Sequence, residues 1–299
     1  MTTLRTLARE YSDSVIASDF SVLAAYALGR TKEFVFREPD YVPTEAESEK
    51  LKDVLLRRAD KEPVAYIVGE KEFFGLPFSV TKDTLIPRPE TEFLVEDTIR
   101  SLRHENGKVF VADIGTGSGN IIVSVAHAFK TDDPDGVRFS FFATDISSGA
   151  LDVAKRNASR HGVIGRVTFF QGDLLEPIPK TEYDGMEHVL ILANLPYLSR
   201  ELYDGAMDDV RLHEPESALV ANDDGLAYYI RLFKDISERE KEGLMSVPIT
   251  GLFEISPEQE SKIATELLRF IPGARYRFIN DLSGRARILR FDIAEPKRA

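Results

Sequence analysis

The tetrapeptide Asn194-Leu195-Pro196-Tyr197 combines a side-chain carbonyl, a backbone carbonyl, a stiff residue and an aromatic face. That set suits one difficult step, the alkylation of an amide or exocyclic amine nitrogen. Such a nitrogen is a poor nucleophile, because its lone pair is delocalised into a carbonyl or a ring. Accepting hydrogen bonds from its N–H groups helps, since these become more acidic as the nitrogen turns positive in the transition state. The Asn194 side-chain oxygen and the Leu195 carbonyl are the two acceptors. Pro196 stiffens the loop that aims them, and Tyr197 offers a flat face to a planar group. No ionisable base is required, because the proton can leave after the transfer. The same residues also read as an Asx-turn followed by a buried tyrosine, so their context decides.

That context is residues 109–120, V-F-V-A-D-I-G-T-G-S-G-N. Residues 109–112 are continuously apolar and read as a buried strand, with Asp113 at its end. Gly115-Thr116-Gly117-Ser118-Gly119 then turns the chain into a helix expected over 121–129. Glycine is needed where φ is positive or where a ligand approaches the backbone. The turn lacks the G-K-[ST] of a P-loop and the G-x-G-x-x-G of a dinucleotide site. Asp113 would repel a pyrophosphate and hold an ammonium. A ligand with an α-amino group, an adenosine and a positive sulfur fits, which is S-adenosylmethionine. The bland reading is a tight turn that only closes a strand–helix unit.

The following elements repeat the pattern. A second strand over 138–144 ends in Asp145, whose carboxylate can accept from both hydroxyls of a ribose or simply cap the helix expected over 146–161. A third strand over 166–171 leads into Gly172-Asp173-Leu174, where Asp173 is either an acceptor for an adenine amino group or a turn residue. A fourth strand over 188–193 ends in Asn194. In a doubly wound sheet such ends face one crevice. Downstream, 198–215 reads as a loop with a helical turn, 225–240 as a helix and 247–255 as a strand. Residues 257–270 read as a helix, and 276–279 with 287–291 as an antiparallel closing hairpin.

Upstream, residues 4–58 show helical spacing, with Leu4, Leu7, Ala8 and Tyr11 on one face and Phe20, Leu23, Ala24, Ala27 and Leu28 on another. Thr44-Glu45-Ala46-Glu47 is a capping-box sequence. Residues 63–80 turn aromatic and β-branched around Gly75, which predicts a short hairpin linking two domains. Residues 84–92, T-L-I-P-R-P-E-T-E, enter a helix that runs to about Leu102. Arg88 and Glu90 are either helix-capping surface groups or part of a loop over the cofactor.

The chain has 299 residues, 43% of them hydrophobic, enough to bury a core in one large domain or two. A net charge of −12 argues against a broad phosphate-binding surface. The absence of cysteine removes disulfides, thiolate metal sites and cysteine nucleophiles together. No histidine and carboxylate cluster has metal-ligand spacing, so no metal is expected. Charges arrive too early for a signal peptide, and no apolar run has membrane-spanning length. The expectation is a soluble cytoplasmic protein.

Asn-Leu-Pro-Tyr resembles the Asn-Pro-Pro-Tyr signature of methyltransferases that act on amide or amino nitrogens. Residues 62–80 and 85–92, 214–225, Phe253-Glu254-Ile255 with Gln259, and 281–287 together resemble the peptide-chain release factor glutamine methyltransferases, the HemK/PrmC family. The resemblance runs from about residue 60 to 290. It implies an α/β fold, a Rossmann-like class I S-adenosylmethionine-dependent methyltransferase sheet with a small N-terminal helical bundle and a β-hairpin linker. The implied divisions are 1–62 as a helical substrate-presenting domain, 63–83 as the linker and 84–299 as the methyltransferase domain. The implied activity is methyl transfer to the side-chain N5 of the Gln in the Gly-Gly-Gln loop of class 1 release factors, leaving S-adenosylhomocysteine.

By the same resemblance Gly115 to Gly119 and Asp145 bind the cofactor, with Asp173-Leu174 near adenine. Asn194 to Tyr197 hold the glutamine, and Arg88, Pro89, Glu90 and Thr91 line the approach. The implied partner is the release factor, without direct nucleic-acid or membrane contact. A ribosomal-protein glutamine is the alternative substrate. A nucleic-acid amino group is a further one, against which the acidic balance counts. A non-catalytic cofactor-binding protein would be expected to have lost Asp113 or Asn194. Leu195 stands where the family usually has proline, and Ser256 where it usually has glycine.

Overall fold

A computed structural model describes residues 2–243 and 246–294. The chain divides into two compact units. One takes the residues up to Glu70 with Val80–Lys82 and Ala206–Glu214; the other takes Lys71–Ser79, Asp83–Gly205 and the chain from Pro215 onward.

The first unit is helical: α1 (Leu4–Glu10), α2 (Ala17–Leu28), α3 (Lys32–Arg37), α4 (Glu45–Ala59) and α5 (Val64–Val68). The apolar stripes read from the sequence meet in one core, where Leu4, Leu7, Phe20, Leu23, Leu51, Leu55 and Ile67 are buried. Thr44 and Glu47 form the capping box that opens α4. Arg58 pairs with Asp19 at 2.8 Å. The segment from Pro63 differs from the expected hairpin. Residues 64–68 are helical, because Pro63 opens the turn, Ile67 is drawn into the bundle core and Gly69 closes it in a left-handed conformation.

The hairpin itself is β1 (Glu70–Phe73) and β2 (Leu76–Ser79). From Lys71 onward it belongs to the second unit, where Phe73 and Phe78 are buried with Leu94, Ile122 and Phe141. Glu92 accepts the Phe74 amide at 2.9 Å. A 3-10 turn over Pro89–Thr91 leads into α6 (Glu92–Arg103).

The sheet and its helices follow as β3 (Val109–Ile114), α7 (Asn120–Ala128), β4 (Phe139–Asp145), α8 (Ser148–Arg160), β5 (Val167–Gln171) and β6 (His188–Ala193). Then come α9 (Arg200–Asp204), α10 (Asp208–His213) and α11 (Asn222–Gly225), followed by α12 (Ala227–Lys241), β7 (Ile249–Glu254), α13 (Glu260–Phe270), β8 (Arg275–Asn280) and β9 (Ala286–Ile293). The expected loop over 198–215 thus contains two short helices. The helix expected from Gly225 starts at Ala227, after a turn in which Asp223 and Asp224 are left-handed.

Seven strands form one sheet in the order β5-β4-β3-β6-β7-β9-β8. Pairing is parallel from β5 to β7, and β9 runs antiparallel to both β7 and β8. This is the expected Rossmann-like sheet, with strand order reversing between β3 and β6. Ligands bind such sheets at the carboxyl ends of the strands beside that reversal. Every residue of β3 and β7 is buried, as a strand covered on both faces requires.

Candidate active site

The carboxyl ends of β3, β4 and β6 open onto a cleft. Gly115, Thr116, Gly117 and Ser118 form its floor, Asp145 stands at one side, and Asn194, Leu195 and Pro196 form part of the wall. Asp173, Leu174, Arg88 and Thr91 complete the sequence-derived residues that line it. Asp113, Gly119, Pro89, Glu90 and Tyr197 are placed around the cleft without lining it.

The turn between β3 and α7 is left-handed at Gly115, Gly117 and Gly119. A Cβ on Gly119 would lie 3.0 Å from Ala154 Cβ of α8, so this glycine lets two helices pack closely. A Cβ on Gly117 would meet nothing within 4 Å. Gly117 N donates to Asp145 Oδ2 at 2.9 Å, and Ser147 N donates to Asp145 Oδ1 at 2.9 Å. Asp145 therefore anchors the glycine turn and the entry to α8, while the cap of α8 itself is Ser147, whose hydroxyl accepts the Ala150 amide at 3.2 Å. Each Asp145 oxygen keeps lone pairs for a diol. Burial raises its pKa, opposed by the Ser147 and Gly117 amides.

Asp113 lies behind the turn with no exposed surface. Thr116 Oγ1 donates to its Oδ2 at 2.6 Å, while Oδ1 has no hydrogen-bond partner among the described residues. Burial pushes its pKa up to about 7, held back by the Thr116 hydroxyl. Asp173 pairs with Arg231, and the buried Leu174 takes a left-handed φ of 47°, a conformation that costs a non-glycine residue roughly 1–2 kcal/mol.

Asn194 directs its side-chain nitrogen to Thr91 Oγ1 at 3.1 Å. Its Oδ1 is buried and has no hydrogen-bond partner among the described residues. Leu195 is buried, with its N–H donating to Tyr229 Oη at 3.3 Å. The Tyr197 carbonyl accepts from Gln259 Nε2 at 3.0 Å. The Tyr197 phenol is held neutral, its pKa raised by burial and then by Glu254.

Residues 5–69 match the PrmC N-terminal domain model and 111–213 match a methyltransferase domain model. A release factor glutamine methyltransferase of Bacillus subtilis is 39% identical over 230 residues, covering 76% of this chain and 74% of that protein. One from Rhodopirellula baltica is 33% identical, covering 91% of this chain and 87% of its own length. The chain belongs to the release factor glutamine methyltransferase family. The hMettl16 catalytic domain, solved in complex with MAT2A 3'UTR hairpin 6, shares the fold at 15% identity. Its TM-score is 0.51, with 86% of this chain and 84% of that chain covered.

The methyl donor of this family, S-adenosylmethionine, fits the residues present. Asp113 Oδ1 is a buried acceptor under the turn with no close hydrogen-bond partner among the described residues, the Ile122 amide being the backbone group that approaches the carboxylate. It is suited to a cationic ammonium. The empty space beside Gly117 leaves the backbone open to close approach.

Several residues of this family member's site escaped the sequence reading. Ser217 and Ala218 also line the cleft, brought there by the pairing of Leu198 with Leu219 and Ala221, as does Tyr228 of α12. Asn157 of α8 donates to Ser118 O at 2.8 Å and exchanges hydrogen bonds with Ser79, tying the glycine turn to the hairpin. Glu254 ends β7 as Asn194 follows β6. It is buried, its carboxylate is hydrogen-bonded by Thr91, and burial pushes its pKa up to about 7. The strand-end rule that singled out Asp113 and Asn194 would have found Glu254 too.

Proposed function

We propose that this chain transfers the methyl group of S-adenosylmethionine to the side-chain N5 of the Gln in the Gly-Gly-Gln motif of a class 1 release factor. The observation that carries this reading is Asn194 Oδ1, a buried acceptor without a hydrogen-bond partner among the described residues, on the wall of the cleft. Family membership supplies the substrate class.

When bound, the cofactor supplies an electrophilic methyl group. Asn194 Oδ1 and the Leu195 carbonyl accept the two N–H groups of the glutamine amide. Both bonds strengthen as positive charge develops on nitrogen, so they favour the transition state over the ground state. Their surroundings exclude water, which increases the effect. No carboxylate or imidazole is needed as base, since an N-methylated amide cation releases its proton to solvent. Arg88 and Thr91 line the same cleft and guard the approach. The helical bundle, matched over residues 5–69 by the PrmC N-terminal domain model, presents the release factor.

The test is transfer of label from S-adenosylmethionine to a purified release factor, beside a Gly-Gly-Gln→Gly-Gly-Ala control. Label on the wild-type factor alone, abolished by Asn194→Ala, is the expected result. Label on neither factor while S-adenosylhomocysteine still binds would overturn the release-factor assignment and direct attention to ribosomal-protein glutamines.

A further inference from the structure

We propose that Glu254 is a positioning residue that fixes both acceptors of the tetrapeptide. Its carboxylate acts through Thr91 on the Asn194 carboxamide, and its main-chain carbonyl acts through Tyr229 on the Leu195 amide. The inference rests on the reading of Asn194 and Leu195 as the groups that hold the substrate amide.

The geometry begins with strand register. Ala193 of β6 pairs with Phe253 of β7 in parallel, so Asn194 and Glu254 leave neighbouring strands side by side. Thr91 stands against both, donating to the Glu254 carboxylate and accepting from Asn194 Nδ2 at 3.1 Å. Tyr229, with no exposed surface, donates its hydroxyl proton to the Glu254 carbonyl oxygen and accepts from Leu195 N at 3.3 Å.

Polarity gives these contacts direction. A carboxamide can rotate by half a turn with little change in shape, and a flipped Asn194 would present N–H groups to the N–H groups of its substrate. A hydroxyl has one proton. Once Thr91 commits it to the ionised Glu254 carboxylate, only lone pairs face Asn194, so the nitrogen must turn to Thr91 and the oxygen to the substrate. Tyr229 works likewise. Its proton goes to Glu254, its lone pair fixes the peptide plane entering Leu195, and Pro196 holds Leu195 in an extended conformation. Together these set the direction of the Leu195 carbonyl.

The experiment compares Thr91→Val, Thr91→Ser, Tyr229→Phe, Leu195→Pro and the double variant Tyr229→Phe/Leu195→Pro in the full chain. We expect Thr91→Val to lower kcat on the release factor by about 10- to 100-fold, as misaimed groups do. S-adenosylhomocysteine affinity should stay within about twofold, because the lost contact serves the transition state. Thr91→Ser should restore most of kcat. Tyr229→Phe should lower kcat alone but cost nothing further once Leu195→Pro has removed the N–H that the hydroxyl serves.

A wild-type kcat in Thr91→Val, a loss equal in Thr91→Ser, or a Tyr229→Phe penalty unchanged by Leu195→Pro would each overturn the proposal. If Thr91→Val does not fold, the Tyr229 and Leu195 cycle decides. If the wild-type enzyme leaves the release factor unlabelled, the substrate assignment fails and the frame is read by nuclear magnetic resonance. The Asn194 side-chain amide signal, assigned by its disappearance in Asn194→Ala, should move in Thr91→Val and hold still in Thr91→Ser. An unmoved signal in Thr91→Val overturns the proposal.

Discussion

Gly117 has a positive φ of 55°, and a Cβ there would point into unfilled space in the cleft. Valine at this position would combine two penalties, roughly 1–2 kcal/mol for a left-handed backbone and a branched side chain where the cofactor approaches. Gly117→Val is therefore expected to destabilise the fold by the backbone cost. Through its branched side chain in the ligand's path, it should also weaken S-adenosylhomocysteine binding by about tenfold, a clash of about 1.4 kcal/mol. Calorimetric titration checks it, and an unchanged affinity would mean the ligand does not pass this turn. Asp145, Gly117 and Asn194 could be read in the sequence because each ends a strand or opens a turn whose pattern is local. Thr91 and Glu254 could not be joined there. Their meeting depends on the pairing of β6 with β7, and no spacing along the chain encodes it.

At the scale of elements, the tetrapeptide loop leans on the turn of α11. A Cβ on Gly225 would collide with the Tyr197 carbonyl oxygen and crowd Gln259 Nε2. Gln259 also accepts the Ser256 amide at 3.1 Å, closing the capping box ahead of α13. Gly225→Ala must displace the Tyr197 end of the tetrapeptide, and a misplacement of about 1 Å costs about 100-fold in rate. Steady-state kinetics should show the loss in kcat, with cofactor affinity retained. Asn157→Ala tests the other side of the site. It leaves Ser118 O and the main-chain amide and carbonyl of Ser79 without their Asn157 partner, at about 1–3 kcal/mol for each group that stays dry. Urea unfolding should register that loss. Helices and strands were legible here because burial on one face leaves a period. The helix after Pro63 was not. Its β-branched residues favour a strand locally, and burial of Ile67 in the bundle overrides them. The start of α12 was missed for a similar reason, since two consecutive left-handed aspartates carry no hydrophobic signal.

At the scale of the whole molecule, a chain of net charge −12 buries further carboxyl groups at the mouth of its sheet, and this sets how stability varies with pH. Asp113 titrates at 3.8 when unfolded and at about 7 when folded, chiefly because burial disfavours its charge. Glu254 moves from 4.5 to about 7 for the same reason. A raised carboxyl pKa means that the folded state holds its proton more tightly than the unfolded state. The stability this gives is complete below pH 4 and is lost as pH rises toward 7. In that window each such group contributes a slope approaching about −1.4 kcal/mol per pH unit. Above pH 7 both states are ionised and the contribution stays flat. Asp113→Asn removes one of these groups. Without cofactor, the variant should gain stability relative to wild type as pH rises from 5 to 7, and the gap should then stop widening. Glu254 and Asp145, both raised by burial, continue to titrate in the variant, so its own curve should still fall with pH, less steeply than the wild-type curve. Urea unfolding followed by circular dichroism across this range measures both curves. Parallel curves would show that Asp113 keeps its charge in the folded protein. The ammonium of the cofactor would then meet a carboxylate already ionised before it binds.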